Sequence, residues 1–339
     1  MRWTPRAKLT AGATAVALAG GLTAGLALGS GALRPGPPVR LEPKPTVIAP
    51  TPTYTGPLLS PFTGERIHSL GPVLAVKIDN IVLARPQTGL NSADIVYVLP
   101  VEGGLSRFMA IFSSHFPRVI GPVRSSREDD LMLLRQFGRP AFAYSGAQPN
   151  LLRLVEHART VDLYANRVGG YYRDYNRIAP YNLFARTREL LAEAKGASKA
   201  HDIGFRFGPA PPGGRPVSSE SAFEPAASFT FRWSKATRRW LVWMDGAPAQ
   251  TTDAGQMSAT TVVIQHTRVR TSGYLEWGRQ RPPYAVTMGS GTAVVLRDGR
   301  AYQTHWSRPT ANGGTTFTTD SGRPMTFAPG RVWVVFVAG

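Results

Sequence analysis

The chain of 339 residues contains no cysteine. No disulfide can support it, so its stability must come from a packed core, for which the length is ample. Acids are scarce: 21 Asp and Glu stand against 39 Lys and Arg, a formal charge of +18. The six histidines (His68, His115, His157, His201, His266, His305) are scattered, with no His-x-His or His-Glu-x-x-His spacing, so the usual zinc patterns are missing. No phosphate loop or dinucleotide fingerprint occurs, and neither a metal nor a cofactor is expected. The basic excess invites polyanions: nucleic acid, anionic lipid or acidic wall polymers. Dense basic runs, zinc-finger spacing and aromatic single-strand platforms are all missing, so nucleic acid is not an expected partner.

The N-terminus supplies an address. Arg2, Arg6 and Lys8 precede "LTAGATAVALAGGLTAGLALGSGAL", Leu9 to Leu33, which carries no charge. That order is the pattern of an export signal, and the run is also long enough to span a bilayer. Residues 1–33 are therefore read as a cleaved signal peptide or a retained anchor, and the protein as extracytoplasmic, secreted or membrane-anchored. No cysteine follows the run, so a lipoprotein-type anchor is excluded. Nine prolines between Leu33 and Pro61 make residues 34–60 an extended spacer.

Two further parts follow, giving a mixed α/β fold of the α+β kind. Residues 61–206 alternate strands and helices: a strand at Pro72–Asp79, a hairpin over Ala93–Phe112 turning at Glu102-Gly103-Gly104, then a helix within "SSREDDLMLLRQFG". Ser125 and Glu128 fit a capping box there, Leu131, Leu134 and Phe137 form an apolar stripe, and Gly138 fits the stop. Pro100 implies an edge or a bulge. Residues 207–222 read as a linker or exposed loop. From residue 223 short strands separated by Gly, Pro and Asp-Gly turns define a smaller, mainly β part ending at residue 339.

"IGPVRSSREDD", Ile120 to Asp130, crowds both signs of charge at that helix start. The acids suit the positive helix end; Arg124 and Arg127 with the Ser125 hydroxyl suit an anion. Arg85, Arg107 and Arg173 are further guanidiniums on nearby loops or arms, with Asn80, Gln87 and Asn182 beside them as polar contacts. Asp79, Asp94 and Glu102 lie at strand ends or the hairpin tip. They can act as acid and base, hold a hard cation, or order the arginines. Ser145 occupies a strand-to-helix turn without the Gly-x-Ser-x-Gly pattern of a nucleophile elbow. Tyr171, Tyr172, Tyr175, Tyr181 and Phe184 gather around Arg173, Asp174 and Arg177, either as a ligand platform or as a packed loop.

"AVKIDNIVLARPQTGLNSADIVYVLPVEGGLSRFMAIF", "IGPVRSSR", "YYRDYNRIAPYNLF" and the late "APGRVWVVFV" together resemble the YerB-like family, domain of unknown function 3048. The family pattern falls on Asp79, Asn80, Arg85, Pro86, Gln87, Gly89, Asp94, Glu102, Gly103, Gly104, Arg107, Gly121, Pro122, Arg124, Ser125, Arg127, Arg173, Pro180 and Asn182. The resemblance implies a bacterial envelope protein with an α/β N-terminal domain and a smaller C-terminal one, and it carries no mechanism. This chain departs from the pattern in lacking the lipid-bearing cysteine, in Val98 where a glutamate is expected, and in Tyr181 where a histidine is expected. The leading expectation is an accessory protein binding an anionic, wall-related ligand or an envelope partner through an arginine-rich pocket. A hydrolase or transferase of envelope polymers working through the three acids, and a scaffold for wall-synthesis proteins, are the alternatives.

Overall fold

Strands β1 (Leu74–Asp79), β2 (Ile95–Pro100) and β3 (Ser106–Phe112) are buried along their whole length. Their alternation explains how. Leu74, Val76, Ile78, Val96, Val98, Phe108 and Ala110 belong to one hydrophobic cluster, while Ala75, Ile95, Tyr97, Leu99, Met109 and Ile111 belong to another. A period of two sends successive side chains to opposite faces, so one sheet separates two cores. In the computed structural model, residues 56–275 and 280–339 are described. Residues 1–55, holding the apolar run and most of the proline-rich stretch, and 276–279, holding Trp277, lie outside the described residues. Among the described residues no helix is long and apolar enough to cross a membrane.

Across the main sheet the order is Thr316–Thr319, Arg300–Arg308, Gly289–Arg297, Thr261–Thr267, Val332–Ala338, β2, β3, β1, β5 (Ala141–Tyr144), β6 (Val161–Tyr164). The chain's last strand therefore sits at the centre. Val332–Val335 pair in parallel with Ile95–Val98 of β2 and also with residues of Thr261–Thr267. Both parts anticipated from sequence contribute to one sheet, and the fold is mixed α/β. β2 is thus an interior strand, and Pro100 is accommodated because pairing with the last strand stops at Val98.

Phe229, Phe231, Trp240 and Val242, from a hairpin of the C-terminal part, cover one face of the sheet. On the same face lies a three-stranded sheet of β4 (Val119–Ile120), β7 (Tyr171–Arg173) and β8 (Leu183–Arg186), joined by Leu190 of α3 (Thr187–Glu193). The other face is covered by α1 (Glu128–Leu134), the 3-10 turn Arg135–Phe137 and α2 (Pro149–Glu156) through Leu133, Leu134, Phe137, Leu151 and Val155. Residues 207–222 are largely exposed but not loose. Phe207 packs edge-on against Phe327, and Arg215–Pro216 pair with Arg300–Ala301.

The α1 start differs from expectation. Its N-cap is Arg127, not Ser125, and the Asp130 carboxylate accepts the Arg127 N–H at 2.7 Å. Asp130 is fully buried and pairs with the equally buried Lys77 at 2.6 Å. Glu128 instead accepts from Ser272 Oγ and Gly273 N, at 2.6 and 2.9 Å, so it fastens α1 to the C-terminal part. Asp129 is buried and accepts from Ala285 N at 3.3 Å. Burial, then the neighbouring Asp130, raise its pKa to about 7 against the pull of Lys77.

Candidate functional site

β1 and β5 pair in parallel only over Leu74–Val76. Beyond that point residues 122–126 wedge between them. Asp79 N donates to Pro122 O (3.0 Å) and Arg124 N to Lys77 O (2.8 Å). On the other side Ser145 N donates to Arg124 O (3.0 Å) and Ser126 N to Gly146 O (2.8 Å). The wedge carries Arg124 and Ser125 to the carboxyl ends of β1 and β5, where open α/β sheets place ligands.

There they border a cavity of about 390 Å³. Ser145 after β5, Ala165 and Asn166 after β6, and Tyr171, Tyr172, Arg173, Pro180 and Leu183 from the β7–β8 hairpin complete its walls. The Ser125 and Ser145 hydroxyl oxygens are 3.5 Å apart. Arg124 Nε lies 2.7 Å from Asp79 Oδ2, and its guanidinium carbon is 5.3 Å from the Tyr181 ring centre. The tyrosine standing where the family pattern has histidine thus offers a ring face to a cation. Arg173 is exposed and donates to the Asn182 amide oxygen at 2.8 Å. It has no ion-pair partner among the described residues. Among the described residues no histidine lines this cavity.

The remaining candidates are distributed otherwise. Buried Asn80 donates to Ser106 Oγ (2.9 Å), and buried Gln87 donates to Asp79 O and Asn80 Oδ1 (both 3.1 Å). Both secure the loop after β1 rather than reach the cavity. Buried Asn182 orients Arg173. Arg85 donates to Asn80 O and pairs with Asp245 at 2.7 Å, which docks the same loop on the C-terminal part. Arg107 donates to Ser125 O (3.1 Å) and lies 4.0 Å from Asp79. Burial, then the like charge of Arg127, lower its pKa to about 10. Arg127 grips Glu102 with Nε and Nη2 at 2.7 and 3.1 Å. Burial alone would raise Glu102, but that grip outweighs it and holds the carboxyl below its ordinary range. Of the five arginines expected to converge, only Arg124 and Arg173 line this cavity.

The three acids do not form one catalytic group. Asp79 and Glu102 lie at the carboxyl ends of β1 and β2. Asp94 precedes β2, roughly 20 Å away along the strand, and accepts from Ser113 N and Ser114 N at 2.6 and 2.8 Å. Burial raises its pKa to about 6. Val98, standing where the family pattern has glutamate, is buried in the core. Sequence reasoning missed Asn166 as a wall residue, whose only signal is its place directly after a parallel strand.

A wedge of arginine and serines at the carboxyl edge of a mixed sheet defines a class: mixed α/β proteins with an open cavity at their strand ends. The chain belongs to the DUF3048 family of proteins of unknown function, whose N-terminal domain matches residues 62–201 and whose C-terminal domain matches residues 220–334. It is 40% identical over 103 residues to YerB of Bacillus subtilis (strain 168), which carries a provisional lipoprotein name; that match spans 29% of this chain and 30% of the relative. The crystal structure of YerB from Bacillus subtilis shares the fold, with a TM-score of 0.71 and 23% identity over 83% of this chain and 97% of that one.

Proposed function

We propose that the chain is an extracytoplasmic envelope protein that binds an anionic, wall-related ligand in the Arg124–Arg173 cavity. The address rests on the basic-then-apolar N-terminus and on the lipoprotein name of its Bacillus relative. One observation carries the ligand class: Arg173 is exposed beside the cavity and held by a neutral amide oxygen, so its charge is uncompensated. Arg124 lines the same space, and the Ser125 and Ser145 hydroxyls add neutral donors. A guanidinium prepared in this way suits a carboxylate or phosphate group, which it can grip with two parallel bonds. The other arginines serve the frame, each matched to Asp79, Asp245 or Glu102.

Calorimetric titration with muramyl dipeptide and glycerol 3-phosphate, against neutral N-acetylglucosamine, tests the reading. Binding of an anionic probe is expected to weaken with salt and to fall at least about tenfold in Arg124→Ala/Arg173→Ala, the scale of one charge-assisted hydrogen bond. Equal binding of the neutral sugar, or unchanged affinity in the double variant, overturns it.

A further inference from the structure

Glu102 lines a second cavity, of about 450 Å³, bounded by Val101 and the glycine tip on one side and by Glu224, Pro225, Val269 and Pro283 on the other. Its two sides touch. Ala226 N donates to Gly104 O at 2.9 Å, and a Cβ on Gly104 would lie 2.7 Å from Pro225 Cβ. With φ at +71°, Gly104 adopts a backbone conformation that L side chains rarely take, so the tip can approach the turn this closely. The spacing between Glu102 and Glu224 is thereby set by backbone contact rather than by side-chain chance.

The two acids differ. Glu102 is saturated by Arg127. Among the described residues Glu224 has no cation within ion-pair distance, and its Oε1 is sealed from solvent without a hydrogen-bond partner. Burial raises its pKa to about 7. Near neutrality a substantial share of it is therefore the protonated acid, a hydrogen-bond donor set among valine and proline side chains. Among the described residues the charged groups lining this space are Glu102, Glu224 and Arg281, with Arg127 pairing Glu102 from outside the wall. With Glu224 neutral the wall carries one charge of each sign, Glu102 and Arg281, which favours a neutral guest.

We infer that this cavity is a second binding site, taking a small neutral apolar molecule whose carbonyl or ether oxygen accepts a hydrogen bond from Glu224. An apolar enclosure with one oriented polar group is the usual build of a small-molecule site, and this one is within the common range of sizes. The site is independent of the Arg124–Arg173 cavity.

The probe is prodan, a neutral naphthalene ketone whose emission reports both polarity and hydrogen bonding at its carbonyl. Titrated into the full chain, it is expected to bind saturably with blue-shifted emission. Val269→Trp, which fills the space without touching an acid, is expected to weaken binding at least tenfold, and Glu224→Ala about tenfold, the worth of one buried hydrogen bond. In the unsubstituted protein affinity declines as pH rises through about 7. Glu224→Gln, whose amide stays a donor, binds without that decline. Circular dichroism melting confirms that each variant is folded. If Val269→Trp does not fold, the Glu224→Gln pH profile decides alone. Prodan binding that ignores Val269→Trp, a pH profile unchanged in Glu224→Gln, or tighter binding of cationic 1-naphthylmethylamine overturns the inference.

Discussion

The two cavities lie along the same carboxyl edge of the sheet and are built on opposite principles. The Arg124–Arg173 cavity is walled by hydroxyls, amides and a free guanidinium, on a wedge held by backbone bonds to β1 and β5. The Glu102–Glu224 cavity is walled mainly by apolar side chains, with one acid left without a partner among the described residues. Between them runs a line of alternating charge: Arg124, Asp79, Arg107, Glu102, Arg127. That line explains why the family motif is so rich in both signs. Most of its charge is spent inside the protein, holding two neighbouring loops at fixed spacing, and only what remains uncompensated is available to a ligand.

The largest effect is expected where both cavities share a support. Lys77→Met leaves Asp130 buried without its cation, which costs roughly 3–5 kcal/mol, measurable by urea denaturation. It should also abolish anionic-probe binding, because α1 and the wedge move with Asp130. A loss under about 1 kcal/mol would show that the charged frame is not what holds the two sites together.

Gly104→Val separates the cavities. Strain at positive φ costs about 1–2 kcal/mol, with the Pro225 contact adding to it. Prodan binding is expected to disappear while binding of the anionic probe persists.

Arg173→Ala does the reverse. Stability should stay within about 0.5 kcal/mol, since among the described residues its side chain is hydrogen-bonded only to Asn182, and anionic-probe affinity should fall about tenfold. Prodan binding should be untouched.

The last effect concerns pH. Asp129 has its pKa raised to about 7, so between about pH 4 and pH 7 the folded state holds a proton that the unfolded chain releases. Stability through this group is therefore full at low pH and declines as pH rises through 7. Asp129→Asn is expected to raise the melting temperature at pH 8 relative to the unsubstituted protein and to change it little at pH 4. Glu224, raised in the same direction, contributes a decline of the same sign that Glu224→Gln removes.

Much of the fold was legible because alternation and turn residues are local signals. "LAVKID" and "IVYVLP" read as strands, and the Glu102-Gly103-Gly104 tip reads as a turn, since two positive-φ positions call for glycine. The helix after "RSSR" was legible too, but its cap was not. Whether Ser125 or Arg127 stands at the N-cap depends on where Lys77, Ser145 and Gly146 pair with the wedge, and those partners are remote in sequence. The candidate arginines were found, yet their roles were not. Arg85 meets Asp245 across 160 positions, and no spacing rule announces that. Lys77 lies within the "LAVKID" strand, and only the packing of α1 over β1 buries it against Asp130.

Amino-acid order by itself determined the strands, the glycine tip, the basic-then-apolar N-terminus and the supply of guanidiniums, because each follows from side-chain type, periodicity or backbone freedom within a few residues. Tertiary structure alone decided that the last strand enters the centre of the sheet, that four of five arginines face an acid, and that Arg173 and Glu224 are left without an opposite charge. Charge pairing in a protein interior is settled by which side chains come within a few ångströms, and that distance exists only once the chain has folded.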